Sequence, residues 1–179
     1  MSVDVSAILY SVINEIGRDK IRTDISADIA VSQTYCEQIL ERCRAILGDN
    51  ENVQTVGAIC EGLLHFMLTA SILPSQRKLS IQGSEIDIVI PSVKVLAKEP
   101  EKSIIIQVIK SDMDLSKVAG AERLQPIPEN VWIVSSTRLR NNHRNYSFDG
   151  DKSFAKIVKD IHGFVASKGI SGLKLFHGE

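Results

Sequence analysis

A chain of 179 residues can bury one full hydrophobic core, so one domain is expected, with room for a helical appendage. The formal net charge of −1 excludes a global attraction to nucleic acid or to an anionic membrane, so a polyanionic partner must be met by a local patch. The opening Met1-Ser-Val-Asp-Val lacks a basic segment followed by an apolar run, and the longest apolar stretch, near 62–74, is too short and interrupted to span a bilayer. The expectation is a soluble, cytoplasmic protein with no membrane contact.

In chain order, Val5, Ile8, Leu9, Val12, Ile13 and Ile16 repeat with helical spacing, and Gly17 is the natural C-cap. A charged connector over 18–24 leads to a second helical pattern over 30–47, ended by Gly48-Asp-Asn. A third helix runs from about Asn52 to Pro74, with apolar residues wrapping widely around it, as befits a central, covered helix. Cys36, Cys43 and Cys60 fall in these helices. An odd count without CxxC spacing argues for reduced thiols and against zinc or a disulfide framework.

At Lys78 the period changes from helical to alternating. Leu79 and Ile81, then Ile86, Ile88 and Ile90, form one or two strands with a turn or bulge at Gly83-Ser84, and Pro91 ends or kinks the run. The strongest strand signal is 103–109. A helix over 113–124 is stopped by Pro126 and Pro128, 130–135 is a buried strand, 141–150 a polar loop and 154–167 an amphipathic helix. Leu173 and Leu175 suggest a short edge strand. The fold class is α/β: a mixed central sheet flanked by helices, with an N-terminal helical extension. Residues 1–50 are the extension and 51–179 the α/β core. The first two helices are expected to cap that core or to form a homo-oligomeric, dimer-type surface.

Two apolar strands carry polar interruptions. Asp87 lies within Glu85-Ile-Asp-Ile-Val-Ile90, and Gln107 and Lys110 lie within Ile104-Ile-Ile-Gln-Val-Ile-Lys110. Burying an unpaired carboxylate costs several kcal/mol or more, so Asp87 needs a partner or a task. A salt bridge or partial exposure would satisfy Asp87. Gln107 is otherwise a satisfied core amide, Lys110 a solvated strand end and Glu61 the buried partner of a lysine or arginine. His65, four residues after Glu61, shares its helix face.

The element order, together with Glu61, Asp87 and the Gln107–Lys110 stretch, resembles the α-β-β-β-α-β core of the PD-(D/E)XK nuclease superfamily over roughly residues 52–136. In that family a helix supplies an acid, the second strand an Asp and the third strand a (D/E)-x-K triplet. The resemblance implies Asp87, Gln107 and Lys110 as catalytic positions, Glu61 and Asp87 as ligands of Mg²⁺ or Mn²⁺, and phosphodiester hydrolysis; Glu85, which alternation puts on the same face as Asp87, is expected to supply a second carboxylate to the metal. Such an ion wants hard oxygen donors, and a nearby lysine stabilises developing charge. The chain departs from the pattern in two ways. Gln107 offers a neutral amide in place of the acid, and strand parity points Lys110 to the face opposite Gln107 unless a bulge intervenes. Asp87 sits opposite Gln107 only if the hairpin is centred near Ala97, with a wide connection after Pro91. If the strand instead continues to a tight turn near Pro100, the two residues lie apart.

A second feature is Ser135-Ser-Thr-Arg-Leu-Arg-Asn-Asn-His-Arg-Asn-Tyr146, which has three arginines and no acid. Arg138, Arg140 and Arg144 suit phosphate contacts and Tyr146 can stack on a base, which makes this the expected nucleic-acid-binding segment. A solvated loop whose arginines pair with acids elsewhere is the other reading. Two functions remain open: a nuclease-like nucleic-acid-binding protein with a weakened or lost active site, or a non-catalytic assembly module on the same scaffold.

Overall fold

A computed structural model describes residues 2–170, so Leu173 and Leu175 lie outside the described residues. Four helices come first: α1 (Val5–Ile16), α2 (Arg18–Ala27), α3 (Val31–Leu47) and α4 (Val53–Ala70). Asp4 caps α1 by accepting the Ala7 N–H, and Gly17 ends it at φ +107°, a value that suits glycine. Asn52 and Thr55 form a reciprocal capping box at the start of α4. The charged stretch after Gly17 is helical, not a connector. Ile21 and Ile25, one turn apart, are both buried and seat α2 against its neighbours despite its polar composition.

The sheet has five strands in the order β1 (Gln76–Ile81), β2 (Ser84–Ile90), β3 (Ile104–Val108), β4 (Val131–Ser135) and β5 (Arg144–Ser147). The first three strands run antiparallel, while β4 pairs parallel to β3 and β5 parallel to β4. Gln82 and Gly83, both at positive φ, make the β1–β2 turn. Helix α5 (Val93–Lys98) and the turn Pro100–Lys102 fill the connection from β2 to β3, which is the wide loop that a register centred near Ala97 requires. Helix α6 (Ser116–Leu124) crosses from β3 to β4, and α7 (Ile157–Ser167) is the last helix among the described residues.

The stretch 141–150, expected as a loop, contains β5. Its signal was weak because Tyr146 alone supplies an apolar side chain within this short edge strand, with Phe148 just beyond it. Two parallel neighbours are therefore joined by residues 136–143 alone, which must run back along the full length of β4. Leu139 in this segment packs on the α6 side of the sheet.

The core has two layers of apolar contact. On one face Ile88, Ile90, Ile104, Ile106, Val108, Trp132 and Val134 pack with α1–α4 and α7; on the other, Val89, Ile105, Val131 and Ile133 pack with α5 and α6. The helices before residue 51 share the first cluster with the sheet. Helix α4 is long and apolar enough to cross a bilayer by composition, yet 56% of it is buried within this fold. Strands β1 and β2 change face together at Lys78 and Asp87. Ile86 packs toward α6 while Ile88, two residues on, packs toward the helical layer, and Lys78 takes φ +52°.

Candidate functional site

The β2–β3 ladder joins Ile90 to Ile104, Val89 to Ile105 and Ile88 to Ile106. One step further the register sets Asp87 opposite Gln107, and there side chains replace the ladder. The Asp87 N–H donates to Gln107 Oε1 at 2.8 Å, and the Val108 N–H donates to Asp87 Oδ2 at 2.7 Å. Gln107 Nε2 donates to the carbonyls of Glu85 at 2.9 Å and Lys117 at 3.0 Å. Fully buried, Gln107 thus spends its carbonyl and both amide hydrogens on backbone groups of β2 and α6.

Lys117, one of the first residues of α6, completes this knot. Its Nζ lies 2.7 Å from Asp87 Oδ2, donates to the Val108 carbonyl at 2.9 Å and stands 3.6 Å from Asp114 Oδ1. The Lys117 and Asp87 side chains are only 10% and 15% exposed, so the pair is largely shielded from solvent. Lys110 points the other way, toward α4, where Nζ meets Glu61 Oε2 at 2.8 Å, while its backbone N–H donates to Asp114 Oδ2 at 2.8 Å. Burial pulls the Lys110 pKa down, but the bond to Glu61 and the charges of Glu61, Asp87 and Asp114 outweigh it and hold the ammonium form. Gly57 on α4 makes room for this lysine, since a Cβ there would lie 2.7 Å from Lys110 Cγ.

Three carboxylates and two ammonium groups from α4, β2, α6 and the β3–α6 connection therefore meet where β3 ends. The C-terminal ends of β3, β4 and β5 lie at one end of the sheet, and in open α/β sheets that end is where ligands are bound.

The donors that the nuclease resemblance assigns to magnesium or manganese do not fit that ion as arranged. Asp87 Oδ2 and Glu61 Oε2 each face an ammonium group, Gln107 Oε1 is committed to the Asp87 N–H, and the Glu85 side chain is exposed, contributing its backbone carbonyl alone. The change of face at Asp87 is why alternation did not bring Glu85 beside it. Among the described residues no group of three or more His, Cys, Asp and Glu side chains is set to hold a metal. His65 has its pKa lowered by burial and by the charges of Arg77 and Lys78 on β1.

The arginine segment divides. Arg138 and Arg140 are exposed and form no ion pair among the described residues. Arg144 binds Asp160 at 3.0 Å and lies 4.6 Å from the centre of the Trp132 ring. Tyr146 is 3% exposed and its hydroxyl donates to Asp160 at 2.7 Å. Burial and that bond raise its pKa. The expectation that Tyr146 offers its ring to a base is corrected: the ring is core, packed 5.5 Å from that of Trp132.

Sequence reasoning missed Lys117 and Asp114. Both lie on an ordinary amphipathic stretch after β3, and the available signal was the need of Asp87 for a cation. No protein-family profile matches the chain, and neither a curated protein nor a solved structure is significantly similar to it.

Proposed function

We propose that this chain is a nuclease-like domain that grips the phosphate backbone of nucleic acid at the C-terminal ends of β3 and β4, with phosphodiester hydrolysis weak or lost. The convergence of Lys110, Lys117, Asp87, Asp114 and Glu61 at that end carries the reading. It is the position that the PD-(D/E)XK resemblance implies, on an α-β-β-β-α-β order interrupted only by the short α5 between β2 and β3, and Arg138 follows β4 at the same end of the sheet. Arg138 and Arg140, exposed and without an ion pair among the described residues, are the residues assigned to phosphate, through charge-assisted hydrogen bonds. Gln107 supports the loss of hydrolysis, because an amide fully engaged with backbone replaces the acid that would ligate a metal.

The test is anisotropy with short single-stranded, duplex and branched DNA and RNA over a range of salt, with cleavage followed in Mn²⁺ and Mg²⁺. Affinity is expected to fall linearly on a log–log plot against salt and to drop in Arg138→Ala/Arg140→Ala, with cleavage at background. Binding that is absent or indifferent to salt sinks the nucleic-acid reading. Robust cleavage abolished by Asp87→Asn would restore a working nuclease.

A second reading, an assembly module on the same scaffold, draws on Met113, which is 87% exposed between Asp112 and Asp114 beside the same cluster. Sedimentation of the wild type against Met113→Ser separates the two: an oligomer dissolved by this change favours assembly.

A further inference from the structure

His143 sits at the far end of the 136–143 segment, and both its ring nitrogens face oxygen. Nδ1 lies 2.8 Å from the Pro128 carbonyl and Nε2 lies 2.7 Å from Glu122 Oε1 on α6. A peptide carbonyl only accepts, and an ionised carboxylate only accepts, so both nitrogens must donate at once. Only the imidazolium form does that. The side chain is 3% exposed, so water has little access to the ring in place.

A chain of hydrogen bonds links this residue to the arginines. The His143 N–H donates to Asn141 Oδ1 at 3.0 Å, and the His143 carbonyl accepts from Asn145 Nδ2 at 3.0 Å. Asn145 Nδ2 also donates to Asn141 Oδ1 at 2.8 Å, and Asn145 Oδ1 accepts the Leu139 N–H at 3.3 Å. Leu139 lies between Arg138 and Arg140 and is anchored in the smaller apolar cluster. The position of His143 is thereby tied to the backbone that carries both exposed arginines.

We propose that residues 136–143 form a proton-gated loop, in which doubly protonated His143 clasps Glu122 and the Pro128 carbonyl and so sets the placement of Arg138 and Arg140. On loss of one proton one ring nitrogen is left with a lone pair facing an acceptor at hydrogen-bond distance, either the Glu122 carboxylate or the Pro128 carbonyl. That contact is repulsive, and the clasp opens. The other charged groups of the packed elements are otherwise placed. Arg123 on α6 donates to Ser84 Oγ, Glu129 in the Pro128–Asn130 turn is exposed, and Arg144 is bound to Asp160. The gate is closed while both ring nitrogens carry protons and opens when one of them is lost. Its use in phosphate contact rests on the function proposed above, but the clasp does not.

The experiment is NMR of the full chain between about pH 5 and 8, following the His143 ring nitrogens together with the Leu139 and His143 amides, for the wild type and Glu122→Gln. Glu122 is half exposed, so this variant keeps the fold. A glutamine accepts from imidazolium and donates to neutral imidazole, so it closes the clasp in both states. In the wild type both ring nitrogens are expected to be protonated at the acid end, with the Leu139 and His143 amides shifting as the ring titrates. In Glu122→Gln the Leu139 amide is expected to stay still while the ring titrates. A ring that is neutral throughout, or wild-type amides that stay still while the ring titrates, overturns the gate. Anisotropy with a dT15 oligonucleotide supplies a separate arm. Tighter binding at the acid end, flattened in Glu122→Gln, supports both proposals, whereas a moving loop with no binding of dT15 or of the duplex, branched and RNA probes supports the gate and overturns the nucleic-acid function.

Discussion

Asp87 and Gln107 face each other across β2 and β3 and exchange roles with the backbone: Gln107 Oε1 accepts the Asp87 N–H at 2.8 Å, and Asp87 Oδ2 accepts the N–H of Val108 at 2.7 Å. Where the strands part, side chains take up the N–H groups of Asp87 and Val108 and the carbonyls of Glu85 and Val108, and among the described residues every buried side-chain polar atom has a partner. The pair holds the sheet open where Lys110 and Lys117 enter from opposite faces.

Removing the Lys117 partner is expected to be costly. Asp87→Ala leaves the Val108 N–H without its acceptor and the largely shielded Lys117 ammonium with only the Val108 carbonyl and the more distant Asp114, so unfolding in denaturant should show a loss of about 3 kcal/mol. Lys117→Met in the same protein should recover part of it, with a coupling of about 1–3 kcal/mol between the two sites. Additive effects would deny the pairing.

Gln107→Leu removes every partner that the side chain offers to Asp87, Glu85 and Lys117. Each orphaned backbone group costs about 1–3 kcal/mol, so the variant should be among the least stable single changes in the sheet. Gln107→Glu restores the acid of the nuclease pattern, but it turns a carboxylate toward two carbonyls that now receive amide hydrogens. A lower midpoint in urea is expected, and an unchanged or raised one would mean that the amide is not the strut described.

The cysteines should be inert in the native state. Burial pushes Cys36 up to about 12 and Cys43 up to about 11, and raises Cys60 well above its usual value. A thiol reagent at pH 8 should react with none of the three until denaturant is added, then with all of them. Fast native labelling would place one at the surface.

Acid should loosen the turn after β5. Asp151 is held at about 2, first by the Ser147 hydroxyl, then by Ser153, with the charge of Arg138 adding to both. A depressed carboxyl pKa stabilises the fold above the ordinary value and loses that contribution as pH falls. The Ser147 and Ser153 signals in NMR should therefore move between about pH 4 and pH 2. Asp151→Asn should abolish the shift.

The change from helical to alternating period at Lys78, the isoleucine run of β3 and the prolines after α6 were enough to write the order of elements and the class of fold, because burial on one face imposes a period on local sequence. A centre near Ala97 was also legible as one of two registers, and α5 in the connection is what selected it. Helix α2 and strand β5 were not legible, since each rests on two apolar side chains whose burial comes from neighbours far along the chain. Tyr146 looked like an accessible aromatic among arginines, and its burial follows from the parallel pairing of β4 with β5.

By itself, then, the chain determined that Asp87 and Gln107 lie in apolar strands and that Asp87 needs a partner or a task, because the cost of a bare buried carboxylate is a local matter. Which cation answers it was a tertiary decision. Lys110, the nearer candidate in sequence, is turned by strand parity toward Glu61 on α4. The crossover helix α6 instead brings Lys117 back over the opened strands to within 2.7 Å of Asp87, a meeting that depends on sheet register and helix placement and leaves no mark in local composition.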